Sequence, residues 1–139
     1  MPANLENVIK RMIRVYARDL ASGLQEGAFE GDDRLAVVGA LSWLVESDDC
    51  IPDLLPVVGY LDDALTLINV LEDLRARDRL PSNLDPLQIQ DDAALVRKHR
   101  GLLMRNLVQV RRENLILIGS SILDLDGLIS SVRLKLTSL

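Results

Sequence analysis

ALSWLVESDDCIPDLLPVVGYLDDALTLINVL, residues 40–71, is the stretch on which the reading of the chain turns. Two strongly apolar runs flank a segment punctuated by Asp48, Asp49, Pro52, Asp53 and Pro56. A proline lacks an amide donor and restricts the residue before it, so Pro52 and Pro56 interrupt what would otherwise be one long helix. The pattern predicts two core helices joined by an acid- and proline-rich loop. The upstream helix is expected over about 34–46, started by Asp32 or Asp33, whose carboxylates can accept from free first-turn amides. It is apolar almost all round, which suits a central position. The downstream helix is expected over about 60–80, with Leu61, Leu65, Ile68, Leu71 and Leu74 on one stripe and Pro81 ending it. Asp49 is placed to cap a short turn over 50–55.

Outward from this core, Leu5, Val8, Ile9, Met12, Val15, Tyr16 and Leu20 recur at the spacing of one helical face. A connector with Gly23, Gly27 and Gly31 follows over 22–31. On the other side, a linker over 81–90 leads to a helix over 93 to about 114, capped by Asp91 or Asp92. The last segment alternates locally like a strand, but Leu115, Ile118, Ile122, Leu125, Ile129, Val132 and Leu136 repeat at 3,4 spacing, the seam of a single long helix. Leu117, Leu123 and Leu128 form a second stripe beside it, and Gly119 and Gly127 each weaken such a helix by about 1 kcal/mol, so burial against a partner has to hold it. Such a width suits a bundle interior or a dimer interface, and self-association is expected through this seam. The expected fold is all-α, a single compact bundle of about five helices over 1–139 with the 40–71 hairpin at its centre and a helical extension over 91–136.

Composition agrees with that class. With 139 residues, 48% hydrophobic but only 3% aromatic, the core has to be aliphatic, and the chain is long enough to bury one without disulfide staples. One cysteine, Cys50, and one histidine, His99, leave too few ligands for a Cys/His zinc site and point to a reducing cytoplasm. No run supplies the roughly 18–20 uncharged apolar residues of a membrane span, since Asp62 and Asp63 interrupt the best one.

Three groups of side chains could carry function. Glu46, Asp48, Asp49, Asp53, Asp62 and Asp63 could gather around a hard cation such as Mg²⁺ or Ca²⁺, with Asp49, Asp53, Asp62 and Asp63 as the metal candidates. Against this, Asp49 caps a turn and Asp62 and Asp63 fall in the first turn of a helix, where negative charge is favoured for ordinary reasons. The second group is basic. Residues 97–112 hold six basic residues and no acid, namely Arg97, Lys98, Arg100, Arg105, Arg111 and Arg112, whereas 26–63 hold ten acids and one arginine, a net −9 in a chain of net −5. Together with Lys10, Arg11, Arg14 and Arg18 of the first helix, the basic residues could meet an anionic membrane surface, or they could face the acidic segment within the bundle. Nucleic acid is disfavoured, because aromatics for base stacking are nearly absent and the chain is acidic. The third group is the C-terminal seam. No cofactor is expected: there is no glycine-rich phosphate loop, no GxSxG elbow and no Cys/His pair at useful spacing.

Ala40, Leu41, Leu44, Asp49, Ile51, Pro52, Asp53, Pro56, Gly59, Leu61, Asp62, Asp63 and Leu65 follow the pattern ALxYLxxPxDLIPDxIPxxGxLDDxxxL, in which the chain resembles the YkvA-like family, a bacterial domain of unknown function numbered 1232. Ser47 and Asp48 depart from it, standing where the pattern has proline and an apolar residue. The resemblance implies a helical fold module in which Pro52, Pro56 and Gly59 set bends, and it implies no activity. Some relatives in that family are membrane associated. The expected function is a noncatalytic protein-interaction or adaptor module that binds itself or another protein, cytoplasmic or peripheral to an anionic membrane. The alternative is a metal-dependent enzyme using the acids of 46–63.

Overall fold

The computed structural model describes residues 3–46, 56–103 and 111–139. Among the described residues the protein is all-helical, with no strand: α1 (Ala3–Gln25), α2 (Gly31–Glu46), α3 (Pro56–Ala76), α4 (Pro86–Leu103), α5 (Arg112–Ser120) and α6 (Leu125–Thr137). The helical class is as expected, but the described residues alone hold six helices where about five are expected for the chain.

Each boundary that moved has a local cause. The first helix runs through Gly23 to Gln25 and ends where Gly27 takes φ +73°, with Ala28 N–H donating to the Gly23 carbonyl at 2.9 Å and Gly27 N–H to the Leu24 carbonyl at 3.3 Å. This is a Schellman closure, and it shortens the connector expected over 22–31. Asp78 at φ 57° closes α3 in the same way, with Arg79 N–H on the Leu74 carbonyl at 2.8 Å, so α3 stops before Pro81 can act. At its other end α3 opens on Pro56 rather than near residue 60, because proline is well tolerated in a first turn, where no intrahelical donor is lost. Asp85 and Pro86 start α4 by the same logic: the Asp85 carboxylate accepts from the Leu87 amide at 3.0 Å. The helix thus begins seven residues before the expected Ala93, and Asp91 and Asp92 lie inside it rather than capping it.

The single C-terminal helix is the largest correction. Residues 121–124 break it into α5 and α6. The Ser120 and Ser121 hydroxyls fold back onto the Leu117 and Ile118 carbonyls at 2.8 and 2.7 Å, and the Asp124 side chain accepts from the Gly127 amide at 3.0 Å to start α6. Local polar caps therefore overrule a heptad spacing that continues in register across the turn.

The apolar faces of all six helices join one core, in which Ile9, Met12, Leu20, Leu41, Leu44, Leu61, Leu67, Ile68, Leu71 and Leu74 are fully buried. Helix α2 packs against α1, α3, α5 and α6, and most extensively against α5 rather than against α3. The reason lies in two glycines. A Cβ on Gly39 would sit 1.9 Å from the Leu115 carbonyl oxygen, and a Cβ on Gly119 would sit 2.0 Å from the Leu35 carbonyl oxygen. One turn of each helix, 35–39 and 115–119, thus lies backbone against backbone, an approach open only to residues without a side chain.

Gly39→Ala and Gly119→Ala are each expected to destabilise the protein by at least about 2 kcal/mol despite the better helix propensity of alanine, because backbone cannot yield as a side chain can. In thermal melts this corresponds to a midpoint lowered by roughly 5–10 °C, whereas Asn114→Ala on the exposed side of α5 should stay within about 0.5 kcal/mol of the parent.

Candidate functional site

The acid cluster does not assemble among the described residues as a metal centre would require. Asp49 and Asp53, with Pro52 and Cys50, lie outside the described residues. Asp62 and Asp63 are sequence neighbours within α3 and stand beyond its first turn, which contains Gly59 in helical conformation and no acid. Asp63 is buried, and the Thr66 hydroxyl donates to the Asp62 carbonyl at 3.1 Å. Among the described residues no three His, Cys, Asp or Glu side chains gather as ligands for an ion.

Two other carboxylates are buried and organised, and both lie outside the set that the sequence singled out for chemistry. Asp33, in the first turn of α2, accepts from Arg112 Nη2 at 2.8 Å and faces Arg77 Nε at 3.9 Å. It joins the start of α2, the end of α3 and the start of α5. Glu30, Asp32 and Arg79 complete an open cleft around this group. The lining holds as many acids as arginines, so the charges are matched within the protein. Asp92, on α4, accepts from the buried Tyr16 hydroxyl of α1, from Gln88 Nε2 at 3.0 Å and from Arg11 Nη2 at 3.5 Å. Burial, reinforced by the bond to Asp92, pushes the Tyr16 phenol well above the usual tyrosine range, so Tyr16 stays a donor. Both constellations tie the protein's own helices together, Asp33 through Arg112 and Asp92 through Tyr16 and Arg11.

The basic group is divided between such locks and solvent. Arg97 grips Glu72 with both terminal nitrogens and reaches the Asn69 Oδ1 at 3.1 Å, and Arg112 belongs to Asp33. Lys98 and Arg111 are exposed, His99 is half-buried, and Arg105 lies outside the described residues. Arg100 lies on α4, while Arg111 and Arg112 open α5 instead of ending α4 as expected. On α1 the exposed arginines Arg11, Arg14 and Arg18 follow one another at 3- and 4-residue steps along one face, and Arg14 has no partner among the described residues.

The C-terminal seam faces inward. Leu115, Ile129 and Val132 are buried, and Ile122, Leu125 and Leu136 pack half-buried on the same core, with Ile118 also half-buried. The chain itself covers much of the stripe expected to serve a partner. What remains outside is the opposite side: Leu117 is 68% exposed, Leu134 73% and Leu123, in the turn between the helices, 97%. The second stripe read from the sequence contains two of these three, and Leu128 is half-buried.

Tyr16→Phe is expected to cost about 1–2 kcal/mol at neutral pH, since it leaves Asp92 short of one donor. The sign of the pH dependence follows from the raised phenol: its contribution is present below about pH 10, where an unfolded tyrosine is also protonated, and is lost as the pH rises above that value. Denaturant melts should show the gap between parent and variant closing on the alkaline side.

Comparison with known proteins adds the family and nothing of activity. No curated protein and no solved structure matches the chain. Residues 33–68, which carry most of α2 and the first part of α3, match the family described as "Protein of unknown function (DUF1232)", in line with the YkvA-like pattern of those residues.

Proposed function

We propose that the protein is a noncatalytic protein-interaction module whose docking face is the outer side of α5 and α6. The observation that carries this reading is the concentration of exposed leucines. Of the four large apolar side chains that are well exposed among the described residues, Leu117, Leu123 and Leu134 fall within one stretch of α5, turn and α6, and only Leu87 lies elsewhere. Single exposed leucines are common, but a group of them marks a surface that partners cover. The organised polar groups support the same reading, because Asp33, Asp92, Arg97 and Arg112 are committed to contacts between the protein's own helices.

A second surface reading concerns an anionic membrane, favoured by the exposed Arg11, Arg14 and Arg18 along α1. No helix among the described residues is long and apolar enough to cross a membrane, so contact in this reading is peripheral. Basic residues near an anionic surface contribute about 1 kcal/mol each, enough for weak, salt-sensitive attachment to a chain that otherwise works in the cytoplasm.

The leading reading is tested with a hydrophobic fluorescent dye in dilute solution. The folded protein should bind it, and Leu117→Asp, Leu123→Asp and Leu134→Asp together should remove most of the signal with the melting midpoint unchanged; equal binding by parent and variant sinks the reading. For the membrane surface, vesicles rich in anionic lipid should carry the protein upward in flotation at low salt, and Arg14→Glu with Arg18→Glu, or added salt, should release it.

A further inference from the structure

We infer that the surface offered to an anionic membrane is a composite ridge, Arg11, Arg14 and Arg18 of α1 continued by Arg133 of α6, and that it lies along the phosphates of acidic lipid headgroups. This rests on the membrane reading of α1 and goes further by adding a residue from another helix and the chemistry it meets. Asn7, Arg11, Arg14, Arg18, Ser22 and Gln25 follow one another at helical steps along the outer side of α1, and none of them is acidic. The row ends at Gln25, whose Oε1 accepts from Arg133 Nη2 at 2.5 Å, so the packing of α6 on α1 sets a fourth guanidinium there. At 1.5 Å per residue, Arg11 to Gln25 spans about 21 Å. Glu26 opens the acidic stretch next to Gln25, and the Arg133 charge offsets it at this end.

Three of the four arginines are held in place with donors to spare. Arg11 uses Nη2 on Asp92 at 3.5 Å, Arg18 uses Nε on Asp19 at 3.4 Å, and Arg133 uses Nη2 on Gln25, which leaves each guanidinium other N–H groups for a phosphate. A side chain already held loses less freedom on binding. The two acids lie beneath their partners: the Arg11 and Arg18 side chains are 45% and 65% exposed, those of Asp92 and Asp19 only 5% and 15%, so an approaching surface meets positive charge first. Arg97, by contrast, spends both terminal nitrogens on Glu72, and Arg112 is largely covered beside Asp33. A straight ridge suits a flat surface, whereas a compact anion would touch only one or two of its members. None of the well-exposed large apolar side chains among the described residues lies on α1, so the contact ends at the headgroups and depends on charge.

Flotation of the full chain at low salt, with phosphatidylcholine vesicles that contain or lack phosphatidylglycerol, tests this. The acidic vesicles should carry the protein and the neutral ones should not. Arg133→Gln should weaken binding about 5-fold, as much as Arg18→Gln, the factor expected for one basic residue near an anionic surface. Arg111→Gln removes the same charge from a cleft lined by α3, α4 and α5 and should leave binding nearly unchanged. Gln25→Lys added to Arg133→Gln should restore the parent affinity, since it returns one positive charge to the same end of the ridge. These side chains are exposed, so the melting midpoint should hold throughout. If Arg133→Gln has no effect while Arg14→Glu with Arg18→Glu releases the protein, the composite ridge falls and the membrane reading stands. No binding to acidic vesicles removes both. A failed rescue, a loss with Arg111→Gln equal to that with Arg133→Gln, or displacement by duplex DNA or inorganic phosphate at matched ionic strength also overturns the inference.

Discussion

The contact between the 35–39 turn of α2 and the 115–119 turn of α5 constrains everything around it. Gly39 and Gly119 let the two backbones meet where each glycine faces the other helix's carbonyl, a register that any shift would turn into a clash. Close-packed interiors admit few alternatives, and here the admitted one is specified by main chain. With α5 held there, its first residue, Arg112, comes within reach of Asp33, while Leu115 enters the core and Leu117 is turned away from it.

Buried carboxylates then fix what apolar contact leaves loose. Aliphatic faces such as Ile89, Ala93 and Val96 of α4 can slide by a turn at modest cost, but the Asp92 carboxylate meets Tyr16, Gln88 and Arg11 in one position only. Asp33 performs the same service for α2, α3 and α5. Burying charge in this way adds little net stability, yet an unpaired alternative is expensive, and that asymmetry selects one arrangement.

Much of this was readable from side-chain spacing. The periodic residues of α1, with Val8 and Val15 half-buried against the core and the others inside it, and Ala40, Leu41, Leu44, Leu61, Leu65 and Ile68 of the two middle helices pack as their pattern implies. Spacing failed where a cap outweighed it. The 3,4 repeat from Leu115 to Leu136 passes through the α5–α6 turn without a fault, and only Ser120, Ser121, Asp124 and Gly127 betray the break. Asp85 followed by Pro86 was likewise a helix start hidden inside what resembles a linker. The Asp33–Arg112 and Asp92–Tyr16 contacts join residues 79 and 76 positions apart, a relation that composition and periodicity do not encode. Gly39 and Gly119 belong to the same class, for each reads as a weak helix residue until its partner backbone is in place.

The same backbone contact bears on where the folding unit lies. The family match spans 33–68 and includes Gly39, whereas the carbonyl that fills the groove beside Gly39 belongs to Leu115, far outside the match. An excised 33–68 fragment would carry a strip of bare helix backbone open to water, with Asp33 deprived of Arg112 and Arg77. In this chain the recognisable segment is half of a joint. The other half is the region whose outer surface carries the exposed leucines, so that the helix completing the core also determines what the protein shows to its surroundings.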